Sequence, residues 1–155
     1  MKQTSLCYLD NGSQYLMLHR ITKKNDENHD KWIGVGGKFQ EGESPEECMA
    51  REMLEETGFS PIDWQYRGIV TFVSDIYGTE YMHLFTCTRW VGKAKPCNEG
   101  VLQWVDKDKI SELNIWEGDT IFLNLLRFDE PFFSLKLSYS GDNLTAISLN
   151  GIMIV

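Results

Sequence analysis

For most of its length the chain alternates short apolar runs with clusters of turn-forming residues, the pattern of a strand-rich protein. Thr4 to Leu9 is the first such run. Asp10-Asn11-Gly12 then offers the positive φ angles of a tight turn before Tyr15 to Leu18, so this segment predicts a β-hairpin. Lys23 to Lys31 (KKNDENHDK) has no apolar anchor and predicts an exposed loop, and the short apolar piece Trp32 to Val35 ends in Gly36-Gly37. A helix start follows: Ser44 can cap it, Pro45 suits the first helical position, Glu47 closes a capping box with Ser44, and Gly58 can end the helix in the αL conformation. Beyond it, Trp64 to Val73 and Tyr81 to Val91 predict two strands joined by a turn around Asp75 to Gly78, with Val101 to Val105 as a shorter strand. Ile121 to Phe128 is amphipathic at helical period. Phe132 to Tyr139 and Leu144 to Val155, split by Ser140-Gly141-Asp142-Asn143, predict a closing strand pair. Strands interrupted by two helices give the class α/β with a central mixed sheet, and no linker or repeat divides residues 1–155, which read as one domain.

Composition narrows the partners. Fifteen Lys and Arg against 23 Asp and Glu leave a net charge of -8, which opposes a nucleic-acid polymer or an anionic membrane surface. A small polyanion can still bind where divalent cations stand between its phosphates and the protein's carboxylates. No apolar run approaches the roughly 20 residues of a membrane span. The four cysteines (Cys7, Cys48, Cys87, Cys97) contain no C-x-x-C and the three histidines no ligand spacing, which points to reduced thiols, no zinc and a cytoplasmic protein.

The first helix carries the chemistry. At 100° per residue, with Glu52 at zero, Glu55 falls near about −60° and Glu56 near about +40°, so three carboxylates share one face. Met49, Met53, Ala50 and Leu54 fall between about +60° and +200° and form the side expected to pack on the sheet. Arg51 can bridge Glu47 and Glu55 at i±4, which fits a solvated, ion-paired face, but Glu52 and Glu56 are left with no cation at that spacing. Clustered carboxylates also suit Mg²⁺ or Mn²⁺ completed by phosphate oxygens, and spacing alone favours neither reading. Gly36 and Gly37 before the helix allow close backbone approach to a ligand, and Lys38 follows as a phosphate contact.

Gly37 to Phe59, GKFQEGESPEECMAREMLEETGF, resembles the box of the Nudix hydrolase superfamily. Gly37, Glu43, Arg51, Glu52, Met53, Glu55, Glu56, Gly58 and Phe59 fill every specified position of that motif. The resemblance implies an α/β/α sandwich around a mixed sheet. It also implies that Glu52, Glu55 and Glu56, with the Gly36 carbonyl, hold Mg²⁺ (or Mn²⁺). One of these glutamates or Glu99 would activate water, and Glu43 with Arg51 would form an orienting pair. Read without the resemblance, Glu99 in Asn98-Glu99-Gly100 is a turn residue.

The wider chain is similar to the MutT-like branch that hydrolyses oxidised purine nucleoside triphosphates. The similarity runs through Trp32 to Gly37 and Trp116 to Leu126 (WEGDTIFLNLL) and implies that Trp116 and Asp119 line a base pocket, with Phe122 as an apolar wall. Two other readings stand beside it: Asp119 as an ordinary helix N-cap and Trp116 as core. Ile33 stands where eukaryotic members carry Asn, and Gly118 where they carry a second Asp. The implied activity is Mg²⁺-dependent cleavage of a nucleoside triphosphate, such as 8-oxo-dGTP, to monophosphate and pyrophosphate. Alternatives are another nucleoside-diphosphate-linked substrate (ADP-ribose, a dinucleoside polyphosphate) and a nucleotide-binding module without turnover.

Overall fold

A computed structural model describes residues 1–154. It contains strands β1 (Lys2–Leu9), β2 (Gln14–His19), β3 (Trp32–Ile33), β4 (Val35–Lys38), β5 (Phe59–Ser74), β6 (Gly78–Gly92), β7 (Val101–Asp106), β8 (Phe133–Ser140), β9 (Asn143–Leu149) and β10 (Ile152–Met153). Helix α1 spans Pro45–Thr57 and α2 spans Asp119–Arg127, with a short 3₁₀ helix at Lys107–Glu112 that the apolar pattern does not announce. Seven strands form a mixed sheet in the order β10-β9-β8-β5-β6-β1-β4, with β1 parallel to β6 and β5 parallel to β8. A second sheet has the order β3-β2-β7.

The predicted hairpin between β1 and β2 does not form. The Asx turn is there, with the Asp10 and Asn11 side chains accepting from the backbone of residues 12–14. The chain nevertheless passes from one sheet to the other, leaving Asp10–Tyr15 as an isolated bridge. Both strands are buried along most of their length, so each needs covering on two faces, which a lone hairpin cannot supply. Asn150-Gly151 adds a turn inside the last predicted strand and separates β9 from β10. Val155, which that strand includes, lies outside the described residues.

Two apolar clusters flank the large sheet. Leu6, Tyr8, Leu84, Val70 and Leu135 pack with Phe122, Leu123 and Leu126 of α2, whereas Cys7, Leu9, Val35, Phe85 and Cys87 pack with Met49 and Met53 of α1. Alternate residues of β1 therefore face opposite helices, the period-two consequence of the pleat. The architecture is the α/β class with a mixed sheet that the pattern implied, with helices on both faces as the resemblance implied. Among the described residues no helix is long and apolar enough to cross a membrane.

Candidate active site

Helix α1 starts and stops as its sequence predicts. Ser44 accepts from the Glu47 amide, Glu47 returns a bond to the Ser44 amide, and Gly58 closes the helix at φ 83°. Its buried arc is not the expected one. Cys48, Met49, Met53, Glu56 and Thr57 are buried, while Leu54 is 49% exposed. The arc runs from about −40° to about +140° on the wheel, which places Glu56 near its middle, among the core-facing residues.

Glu56 is only 4% exposed. Its Oε2 accepts from the Gly36 amide at 2.8 Å, and its Oε1 has no partner. Burial, reinforced by Glu99 and then Glu52, pushes its pKa up to about 10. Burial also raises Glu52, against the pull of Arg51. The Glu52 carboxyl lies over Gly37 so closely that a Cβ there would fall 2.6 Å from it and push the carboxyl aside, whereas at Gly36 a Cβ would fall 1.9 Å from the Ser5 carbonyl oxygen, so the first glycine of the pair is the one backbone packing requires. Glu55, with 57% of its side chain exposed, stands at the rim. A buried carboxyl group with further acids beside it could exchange its proton for a cation.

Arg51 is the hub of this face. It holds Glu43 through two bonds of 2.6 and 3.0 Å, donates to the Lys38 carbonyl, and reaches Glu52 at 2.9 Å and Glu55 at 3.2 Å. The expected bridge to Glu47 is not made, because Glu47 is committed to the capping box. Glu52 does have a cationic partner, at i−1, which helical-spacing arithmetic overlooks. With Arg51 drawing Glu52 and Glu55 to itself, among the described residues no three His, Cys, Asp or Glu side chains are gathered as a ready cation cage.

Glu99, 43 residues beyond Glu56 in the chain, is brought to the same place and accepts from Arg20 at 2.9 Å. Lys38 and Gly36 line the cleft between this face and the loop before β3, together with Arg20, Lys23 and Lys24. That loop is exposed through Asn25. It then folds back, with Asp26 holding Arg20 and Glu27 holding Lys2, so its polar composition concealed a wall of the cleft.

The cleft continues into a narrower cavity lined by Trp116, Asp119 and Phe122, with Ile33, Phe72 and Met82 as apolar walls. Trp116 donates from Nε1 to Asn28 and packs edge-on against Phe72 and Tyr139, so it is both a core residue and a wall. Asp119 is 5% exposed, and Gly118, not Asp119, occupies the cap position of α2. Burial raises the Asp119 pKa to about 8, with Lys31 opposing, so the group is largely a neutral acid at pH 7 that can donate as well as accept. A side chain at Gly118 would collide with Leu137 and with the Tyr139 hydroxyl, which accepts from the Gly118 amide. A second acid there would require Leu137 and Tyr139 to move.

Lys2, Thr4 and Glu80 also line this cavity and were not singled out by motif reading. Their signal was available: Lys2-Thr4-Leu6-Tyr8 and Glu80-Met82-Leu84 alternate on inward register positions, so a lysine and a glutamate sit where the strand pattern calls for apolar side chains.

Comparison with known proteins identifies the class. Residues 2–126 match the NUDIX domain, and the chain belongs to the Nudix hydrolase family. It is 35% identical over 106 residues, 67% of each chain, to the oxidized purine nucleoside triphosphate hydrolase of Danio rerio. It is 28% identical over 147 residues to the uncharacterized Nudix hydrolase YvcI of Bacillus subtilis (strain 168), covering 92% of this chain and 89% of that one. The crystal structure of the MutT protein from Bacillus halodurans superposes with a TM-score of 0.84 at 26% identity, covering 97% of this chain and 98% of that one.

Proposed function

We propose that this protein is a divalent-cation-dependent pyrophosphohydrolase of oxidised purine nucleoside triphosphates such as 8-oxo-dGTP, yielding the monophosphate and pyrophosphate. The observation that carries the reading is the buried Oε1 of Glu56, left without a partner behind Gly36, which Glu56 holds through its other oxygen and which lines both the cation-lined cleft and the apolar cavity of aromatic and carboxyl walls. The donor set is all oxygen, which fits Mg²⁺, with Mn²⁺ as a substitute. Glu52, Glu55, Glu56 and the Gly36 carbonyl would hold it. When bound, such an ion supplies charge neutralisation for the phosphate oxygens and activates water.

The remaining roles belong to the chain itself. Lys38 and its cationic neighbours in the cleft bind the triphosphate. Arg51 fixes Glu43, Glu52 and Glu55 in register, so the acidic face is preorganised. A glutamate of this face, or Glu99 on its Arg20 tether, takes the proton from water. Trp116 and Phe122 sandwich the base, and Asp119 hydrogen-bonds its edge. The relative from Danio rerio, named for oxidised purine triphosphates, supports the same assignment.

A panel of substrates with Mg²⁺ tests this reading. Pyrophosphate release should be fastest from 8-oxo-dGTP, slower from dGTP and other purine triphosphates, and small from pyrimidine triphosphates. Greater kcat/KM on ADP-ribose or a dinucleoside polyphosphate would replace the substrate. Nucleotide binding with no turnover of any panel member would make the protein a sensor.

A further inference from the structure

The base cavity has a second polar wall opposite in origin to Asp119. It comes from the first residues of β1 and β6, which pair in parallel register with Lys2 beside Glu80 and Thr4 beside Met82. Glu80 Oε2 accepts from Thr4 at 2.8 Å. Glu80 Oε1 has the Lys2 ammonium at 3.7 Å, beyond a normal hydrogen bond, and the Glu80 side chain is 13% exposed. Lys2 in turn is anchored by Glu27 at 2.6 Å. The wall therefore presents an acceptor, Glu80 Oε1, next to a donor, Lys2 Nζ, the first held by Thr4 and the second by Glu27, which lines the cavity beside them. Burial and the Glu27 carboxylate raise the Glu80 pKa, while Thr4 and Lys2 pull against that rise, so an N–H arriving at Oε1 would stabilise a poorly solvated carboxylate.

An ordinary purine carries a bare acceptor at N7 and a C–H at C8. Oxidation at C8 converts this edge to an N7–H donor beside a C8=O acceptor, the mirror of the Glu80–Lys2 pair. A carboxylate oxygen facing a bare N7 meets lone pairs with lone pairs and gains no hydrogen bond. Asp119, from the start of α2, is left to the Watson–Crick edge under the assignment above.

We propose that Glu80, positioned by Thr4 and paired with Lys2, is the residue that distinguishes oxidised from ordinary purines by reading the N7–H and C8=O edge. This rests on the proposed substrate class and gives it a physical origin, since Ile33 and Gly118 supply no side-chain hydrogen bond.

The test uses the full chain with Mg²⁺ and five measurements of kcat/KM: 8-oxo-dGTP, 8-bromo-dGTP and dGTP with the wild type, and 8-oxo-dGTP and dGTP with Glu80→Gln. 8-Bromo-dGTP fills C8 but keeps a bare N7, so it should behave like dGTP. Glu80→Gln carries both a donor and an acceptor and can meet either base, so the ratio of 8-oxo-dGTP to dGTP should fall at least about tenfold, chiefly through KM, a readout that loss of folded protein would not move. Equal use of 8-bromo-dGTP and 8-oxo-dGTP would overturn the proposal whether or not the variant folds. An unchanged ratio in Glu80→Gln, or an equal loss on both substrates, would overturn it while leaving the proposed activity intact. No turnover of any of the three nucleotides by the wild type would overturn both.

Discussion

The acidic cleft and the base cavity share residues at their junction but are built on opposite principles. The acidic face of the cleft is the work of one helix and the loop entering it: Glu43, Arg51, Glu52, Glu55 and Glu56 lie within 14 residues, and one guanidinium ties Glu43, Glu52 and Glu55 together. The cavity is gathered from β1, β6, the loop before β3, and α2, and its polar groups are held by separate anchors. Burial acts in the same direction in both, raising Glu52 against the pull of Arg51, Glu56 to about 10 and Asp119 to about 8. What differs is the company each acid keeps. Glu56 has the further acids Glu99 and Glu52 beside it, a set that a cation could bind by displacing the proton, whereas Asp119 stands among aromatic and apolar walls, which suits a hydrogen-bond partner more than an ion. One region is arranged for chemistry and the other for selection, so substitutions should separate kcat from substrate preference.

The largest effect is expected at Glu56. Glu56→Gln should lower kcat about 10²–10⁴-fold on every nucleotide, with little change in melting temperature without added metal, because the wild-type side chain is already a neutral acid there. A wild-type kcat in the variant would dissolve the distinction between the regions. Next, Gly37→Ala should depress kcat by displacing the Glu52 carboxyl while leaving the relative use of 8-oxo-dGTP and dGTP unchanged. Arg51→Ala strips Glu43 and Glu52 of their shared partner and should cost about 1–3 kcal/mol, lowering melting temperature and activity together. Lost turnover at an unchanged melting temperature would instead place Arg51 on the substrate.

Asp119→Asn should act on kcat/KM for the oxidised nucleotide and spare metal binding. It also carries a pH signature. The folded pKa of about 8 lies above the unfolded value, so Asp119 stabilises the fold fully below about pH 4, and that contribution is lost as pH rises toward 8. The melting temperature of Asp119→Asn should therefore gain on the wild type by a few °C between pH 5 and 8. A pH-independent difference would show that the carboxyl is not held neutral.

The same contrast explains what could be read from the chain. The capping box, the αL stop and the spacing of the glutamates are local, so the bounds of α1 and the clustering of its acids were legible, but not that Glu56 turns into the core. Even there the wheel put Leu54 inside, because it records period and not which arc the sheet covers. The hairpin failed for a related reason: the turn chemistry at Asp10-Asn11-Gly12 is local, but the sheet each arm joins is decided by distant strands. Glu80, Lys2 and Glu27 become neighbours only through the β1–β6 register and a loop of 12 residues folding back on it. Their one trace in the sequence is charge at inward strand positions.

The central claim is that Glu56 completes a divalent-cation site on which the chemistry depends. Mn²⁺ titration of the nucleotide-free protein, followed by electron paramagnetic resonance at several pH values, tests it directly. The wild type should bind Mn²⁺ more tightly as pH rises, since the ion must displace the proton that burial holds on Glu56, and Glu56→Gln should bind at least about tenfold more weakly at every pH. Equal, pH-independent affinity in the two proteins would contradict the account.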